Sequence, residues 1–140
     1  MTQIVITGVD GSNPAQEAAA TAARVANAFD ATLYVISVFG PGQDKGGRDS
    51  DFDPSLAAER ISADSAASLQ LNFPTLKVVS RAVAGHKPAE TLVKAAEELE
   101  ASLIVVGNKR VKGLGRLLGS IASEVAAKAP CDIYIVHTHD

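Results

Sequence analysis

The 140 residues predict an α/β fold, a single-domain open five-stranded parallel sheet with helices on both faces. Two observations carry that expectation. Five short apolar runs rich in branched residues punctuate the chain, and segments with helix-start chemistry and helical periodicity separate them. Strand–helix alternation with right-handed crossovers gives one parallel, doubly wound sheet.

The runs are Ile4–Val9, Thr32–Val38, Leu76–Val83, Leu103–Val106 and Ile133–Val136. The first, second and fourth are nearly continuous in apolar residues, the pattern of strands covered on both faces. Asn13-Pro14 with Gln16 reads as an N-cap, a proline at the first helical position and a capping-box partner. The helix behind it is expected to bury Ala18, Ala22, Val25 and Phe29 at helical spacing. Asp53-Pro54 repeats the cap-plus-proline signal and opens a second helix through about Leu71. Ala89, Leu92, Val93, Ala96 and Leu99 form the cleanest amphipathic stripe, with Pro88 where a helix start tolerates it. A fourth helix is expected from Ser120, burying Ile121 and Val125 and stopping before Pro130. No internal repeat or domain boundary interrupts residues 1–140, and the glycine-rich stretch Gly40–Ser50 reads as a surface loop.

Composition narrows the function. Hydrophobic residues make up 46% and charged residues 21%, as in a globular protein. A net charge of −3 gives no overall basic field, so generic nucleic-acid binding is not indicated. The single cysteine, Cys131, excludes an internal disulfide framework and fits a reducing compartment. The start MTQIVITGVDGS lacks the pattern of a signal peptide, and no apolar run approaches the ~18 residues of a membrane span. A cytoplasmic protein with no membrane partner is expected.

Two loops at the carboxyl ends of strands carry the chemistry, since ligands of open α/β sheets bind there. The stretch Gly107–Ser120, GNKRVKGLGRLLGS, leaves a buried strand and enters a helix at Gly119-Ser120. Its glycines let backbone N–H groups approach an anion, and the helix start adds unpaired donors and a positive dipole end. Lys109, Arg110, Lys112 and Arg116 lie in it, and no carboxylate occurs between Gly107 and Ser123. In an acidic chain that local reversal of sign points to a phosphate. The other loop, Gly8–Ser12, presents Asp10 at the end of the first strand, where a carboxylate can accept from an exocyclic amine such as that of adenine. Asp10 can equally cap the turn into the first helix.

Together these stretches resemble the universal stress protein family. The residues that carry the resemblance are IVITGVDGS, AGHKPAETLVKAAEELEASLIVVGN and GRLLGSIASEVAAKAPCDIYIV, so it runs through nearly the whole chain. The family's nucleotide-binding members carry Gly-x-x-Gly, a spacer, and then Gly-Ser or Gly-Thr. Gly107 matches the first glycine and Gly119-Ser120 the terminal pair, with the shorter of the family's spacings, while Arg110 replaces the second glycine. The resemblance implies a Rossmann-like, adenine nucleotide alpha hydrolase-like fold and an adenine nucleotide ligand: ATP, AMP or cyclic AMP, with Mg²⁺ accompanying ATP. It implies that Val9 and Asp10 hold the adenine and that Val38 forms an apolar wall. Gly107 and Asn108 would lie along ribose and the first phosphate. Gly119, Ser120 and Ile121 would offer N–H groups and a hydroxyl to the phosphates, and Arg110, Gly113 and Arg116 complete the candidate set. Arg110 has two opposite outcomes: it obstructs the backbone's approach, or it adds a charge-assisted phosphate contact. The resemblance further implies a homodimer through the last strand, Cys131–His137, and a stress-response role as a binder or signalling module.

Other chemistries fit less well. Gly113-x-Gly115-x-x-x-Gly119 follows the fourth strand rather than the first βα turn, so it is no dinucleotide fingerprint. No Gly-x-x-x-x-Gly-Lys-Ser/Thr is present. His86, His137 and His139 have no metal-ligand spacing with Cys131, and His86 reads as helping to start the third helix. Cys131 reads as a small buried hydrophobe. No nucleophile–base–orienter set stands out. The alternatives to a nucleotide binder are therefore a nucleotide-free interaction protein of the same fold and a weak ATPase.

Overall fold

The computed structural model describes residues 2–40, 53–109 and 118–139. Five strands and four helices alternate along them: β1 (Ile4–Gly8), α1 (Asn13–Ala28), β2 (Thr32–Phe39), α2 (Pro54–Asn72), β3 (Lys77–Ala84), α3 (Pro88–Leu99), β4 (Leu103–Lys109), α4 (Ser120–Lys128) and β5 (Asp132–Thr138). The strands form one sheet in the order β3-β2-β1-β4-β5, and every pairing is parallel. The expected architecture is the observed one.

Alternation along the strands sorts the core into two layers. Val5, Leu33, Val35 and Val105 face α1 and α2, packing against Ala18, Ala19, Ala22 and Leu69. Ile6, Ile36, Ile104 and Val106 point the other way, onto Leu92, Val93, Ala96 and Val125 of α3 and α4. β1, β2 and β4 are covered on both sides, whereas β3 and β5 are edges with half-exposed faces. Alanine-rich helices suit this arrangement because small side chains let a helix lie close to the sheet.

Several local expectations shift. α1 is capped by Ser12 rather than Asn13: Ser12 Oγ accepts from Ala15 N–H at 3.3 Å, and Pro14 still falls in the first turn. Gln16 does not turn back to the cap; its Oε1 accepts the Ser65 hydroxyl of α2 at 2.6 Å. Val25 is only half-buried and Phe29 is 64% exposed. Phe29 is already the C-cap of α1, and the chain turns away at Asp30 (φ 56°), so the apolar stripe ends before it; Ala26 closes the buried face instead. Asp53 and Pro54 start α2 as expected, with Asp53 Oδ1 accepting from Ser55 N–H at 3.0 Å. Lys87, not His86, precedes α3, and no side chain caps that helix. In α4 the buried residues are Ala122 and Val125, while Ile121 is 42% exposed. Cys131 is half-buried, and burial raises its thiol pKa. Of the loop Gly40–Ser50, all but Gly40 lies outside the described residues.

Candidate functional site

Strand order reverses between β1 and β4. The chain leaves β1 for α1 on one face and β4 for α4 on the other, so the two turns diverge and open a crevice at the carboxyl edge. The crevice is a cleft of about 240 Å³, slightly smaller than the roughly 300–1,000 Å³ typical of small-molecule sites. Val9, Ile36, Val38 and Val106 from the strand ends, with Leu92 of α3 and Ile121 of α4, make its walls mainly apolar. Asp10 is the only charged residue among the described lining. That composition, apolar walls with a few placed polar groups, suits a flat heterocycle.

The first turn is built to hold Asp10 still. Asp10 Oδ1 accepts Ser12 N–H at 2.9 Å, an Asx turn that Gly11 permits by adopting φ +89°. One carboxylate oxygen is thus engaged in positioning, and Asp10 itself remains exposed at the cleft mouth. Val9 is 6% exposed and tied to β2 through its N–H, which donates to Ile36 O at 2.8 Å.

The second turn begins at Gly107, whose bare Cα lets three elements meet. A Cβ there would stand 3.0 Å from Thr138 Cγ2 and 3.3 Å from Ala18 Cβ, so β4, β5 and α1 converge on a glycine. Asn108 does not lie in the cleft lining. It is 6% exposed, and its Oδ1 accepts Gly119 N–H at 2.7 Å, fastening the end of β4 to the start of α4. Gly119 is the N-cap of α4 and has no side chain to close it; Gly119 and Ser120 stand exposed beside the cleft. Asn108, expected along the ribose and first phosphate, has its side-chain oxygen engaged as the clasp of the loop. Val9, Asp10, Val38, Gly107 and Ile121 do come together around one cavity. Ile121, expected in the core, is exposed because it faces this cavity instead. Arg110, Gly113 and Arg116, with Lys112, lie outside the described residues.

Two features were missed from sequence. Thr138 ends β5 and lines the cleft; continuing the alternation of Ile-Val in β5 by two residues places it on the Val136 face. His139 anchors the tail on α1: its N–H donates to Glu17 Oε1 at 3.0 Å and its ring lies 3.3 Å from Oε2. The His139 N–H, and then its ring, hold the Glu17 carboxyl below its usual range. Next to the cleft, beyond the ends of β2 and β3, a second depression of about 330 Å³ shares Asp10, Val38 and Pro88 and is bordered by Ser37 and His86.

A family model described as the universal stress protein family matches residues 1–137. The chain belongs to that family. Among its relatives, a universal stress protein of Mycobacterium tuberculosis is 34% identical over 142 residues, covering 96% of this chain and 95% of that protein. One of Thermus aquaticus is 30% identical over 137 residues, covering 97% and 99%. Of solved structures, a universal stress protein in complex with cAMP shares 31% identity and superposes with a TM-score of 0.72, over 97% of either chain. The Archaeoglobus fulgidus universal stress protein in complex with dAMP has a TM-score of 0.71 at 22% identity, covering 96% of this chain and 97% of that one, a likeness of fold. The fold is the adenine nucleotide alpha hydrolase-like arrangement of this family.

Proposed function

We propose that the cleft binds an adenine nucleotide and that the protein works as a nucleotide-responsive binder in a stress response. The observation that carries the reading is the pairing, at one topological switch point, of the Asp10 turn with an uncapped α4 start. Asp10 supplies an acceptor for an exocyclic amine beside the apolar wall of Val9 and Val38. Gly107 runs along the sugar, and the first-turn N–H groups of Ser120 and Ile121 supply donors for phosphate. Arg110, Gly113 and Arg116 belong to the same reading by their place in the loop. The solved relative that holds cAMP at 31% identity favours this ligand class. ATP, AMP and cyclic AMP are the candidates. Mg²⁺ enters only as the companion of ATP, carried largely by its phosphates; among the described residues no group of three or more His, Cys, Asp or Glu gathers to hold a metal.

Edge strand β5, Asp132–Thr138, leaves Tyr134 45% exposed. An uncovered edge needs a partner or protection, which supports a homodimer formed along Cys131–His137. A cytoplasmic setting accords with a lone cysteine and with the absence, among the described residues, of any helix long and apolar enough to cross a membrane. Calorimetric titration of the folded protein with ATP, AMP and cAMP tests the function. Saturable heat with at least one of them is expected. No heat at millimolar concentration of all three overturns the reading in favour of a nucleotide-free interaction protein.

A further inference from the structure

Thr138 is fully buried, and its Oγ1 is the one buried side-chain N or O atom among the described residues with no hydrogen-bond partner. Leaving such a hydroxyl unpaired is costly, and native structures seldom do so without a use for the group. Its location supplies the use. Thr138 lines the cleft at the seam of β4, β5 and α1, beside Gly107 and the first turn of α1. Nearby buried polar side chains already have partners: Thr7 Oγ1 donates to Val105 O at 3.0 Å, and Asn108 Oδ1 holds Gly119.

We infer that Thr138 is a ligand-binding residue whose hydroxyl donates to the phosphate nearest the sugar of the bound nucleotide. The inference rests on the adenine-nucleotide reading and adds to it a contact from the last strand. Sheet geometry selects the phosphate. Val38 stands one residue before the end of β2 and Thr138 ends β5, three strand spacings apart in the order β2-β1-β4-β5, or about 14 Å at ~4.8 Å per strand. A base seated between Asp10 and Val38 therefore directs its sugar and then its first phosphate across β1 and β4 toward Thr138. The hydroxyl is presented by a fixed backbone. Residue 138 pairs with Lys109 in the β4–β5 register, and the next residue, His139, is tied to Glu17 of α1. A ligand in the cleft thus touches the edge strand directly.

The test compares AMP and adenosine by calorimetry on the full chain, with Thr138→Val and Thr138→Ser. Valine keeps the shape and removes the hydroxyl; serine keeps the hydroxyl. The expected result is AMP affinity weakened about tenfold in Thr138→Val, as for a charge-assisted hydrogen bond, with adenosine affinity unchanged and Thr138→Ser close to the parent. In the ligand-free state Thr138→Val should melt higher than the parent, because an unpaired buried hydroxyl has gone. Affinity and stability then move in opposite senses, which a purely structural residue would not produce. Equal AMP affinity in parent and valine variant overturns the assignment, and an equal loss for AMP and adenosine overturns the choice of phosphate. If AMP gives no heat with the parent, ATP or cAMP, whichever it binds, takes AMP's place in the comparison; failure of the parent with all three overturns the nucleotide reading itself, a separate result. Should the valine variant not fold, Thr138→Ala gives the same comparison.

Discussion

Two helices begin on opposite walls of the cleft, and they begin differently. α1 completes its own start: Asp10 accepts Ser12 N–H, Ser12 accepts Ala15 N–H, and Pro14 has no N–H to satisfy. α4 starts at a glycine with no side-chain cap, and Asn108 Oδ1 takes the N–H of that glycine. The first-turn N–H groups of Ser120, Ile121 and Ala122 precede the first intrahelical bond, which Ser123 N–H makes to Gly119 O at 2.9 Å. A helix start with a side-chain cap offers shape and a fixed carboxylate, whereas one without a side-chain cap retains capacity for an anion. On the proposed reading the two turns would divide the ligand between them, with the base against the α1 start and the phosphate at the α4 start.

Closing the open start should have the largest effect. In Gly119→Asp a carboxylate caps α4 from within and occupies the anion position; like-charge repulsion against phosphate should weaken AMP binding about a hundredfold. The ligand-free protein should gain a few tenths of a kcal/mol. Calorimetry and melting curves read both, and unaltered AMP affinity would remove α4 from the site.

Next comes the clasp. Asn108→Ala removes the acceptor of the Gly119 N–H and should destabilise the fold by about 1 kcal/mol, read from urea unfolding. A midpoint equal to the parent's would mean that the 2.7 Å contact contributes nothing net.

Opening the finished start is worth no more. Ser12→Ala should cost about 1 kcal/mol, the ordinary value of a lost N-cap, with a matching fall in the urea midpoint.

The smallest effect separates two kinds of finished start by pH. Asp53 caps α2, and its carboxyl pKa is lowered from 3.8 by hydrogen bonds from the Ser55 side chain and backbone. A depressed pKa contributes stability that is present above the unfolded value and lost as pH falls through the folded one. Stability should therefore decline in the acid region below about pH 4, and Asp53→Asn should flatten that decline. Ser12, uncharged, should leave the acid limb of the curve unchanged when replaced. An identical acid limb in parent and Asp53→Asn would exclude Asp53 as its source.

These contrasts also explain what was legible beforehand. Apolar runs such as Ile4–Val9 and Thr32–Val38 reveal central strands because burial on both faces leaves no polar alternation to confuse with anything else. Proline after a capping residue reveals α2 for an equally local reason. Phe29 and Ile121 misled because helical periodicity states which side a residue occupies, not whether a neighbour exists there: the first sits past the last helical turn and the second faces a cavity. Asn108 and Gln16 are polar residues whose partners, Gly119 and Ser65, lie 11 and 49 positions away. The second pair lies beyond any local window, and the first sits within one loop whose sequence does not say which donor the amide faces. The cleft itself was legible as two loops, since Asp10 and Gly107 each follow a recognisable strand, but Thr138 required knowing that β5 lies beside β4.

The Asn108–Gly119 bond has a consequence for how such a protein can change. It closes a ring of backbone whose interior carries Lys109, Arg110, Lys112 and Arg116. Once the ends of a segment are pinned, altering its length is cheap, about 0.6 kcal/mol for each doubling. The clasp therefore makes the cationic segment an interchangeable cassette. On the proposed reading, substitutions, insertions or deletions inside it would retune which anion is preferred, while the Asn108–Gly119 bond keeps the ends of β4 and α4 together.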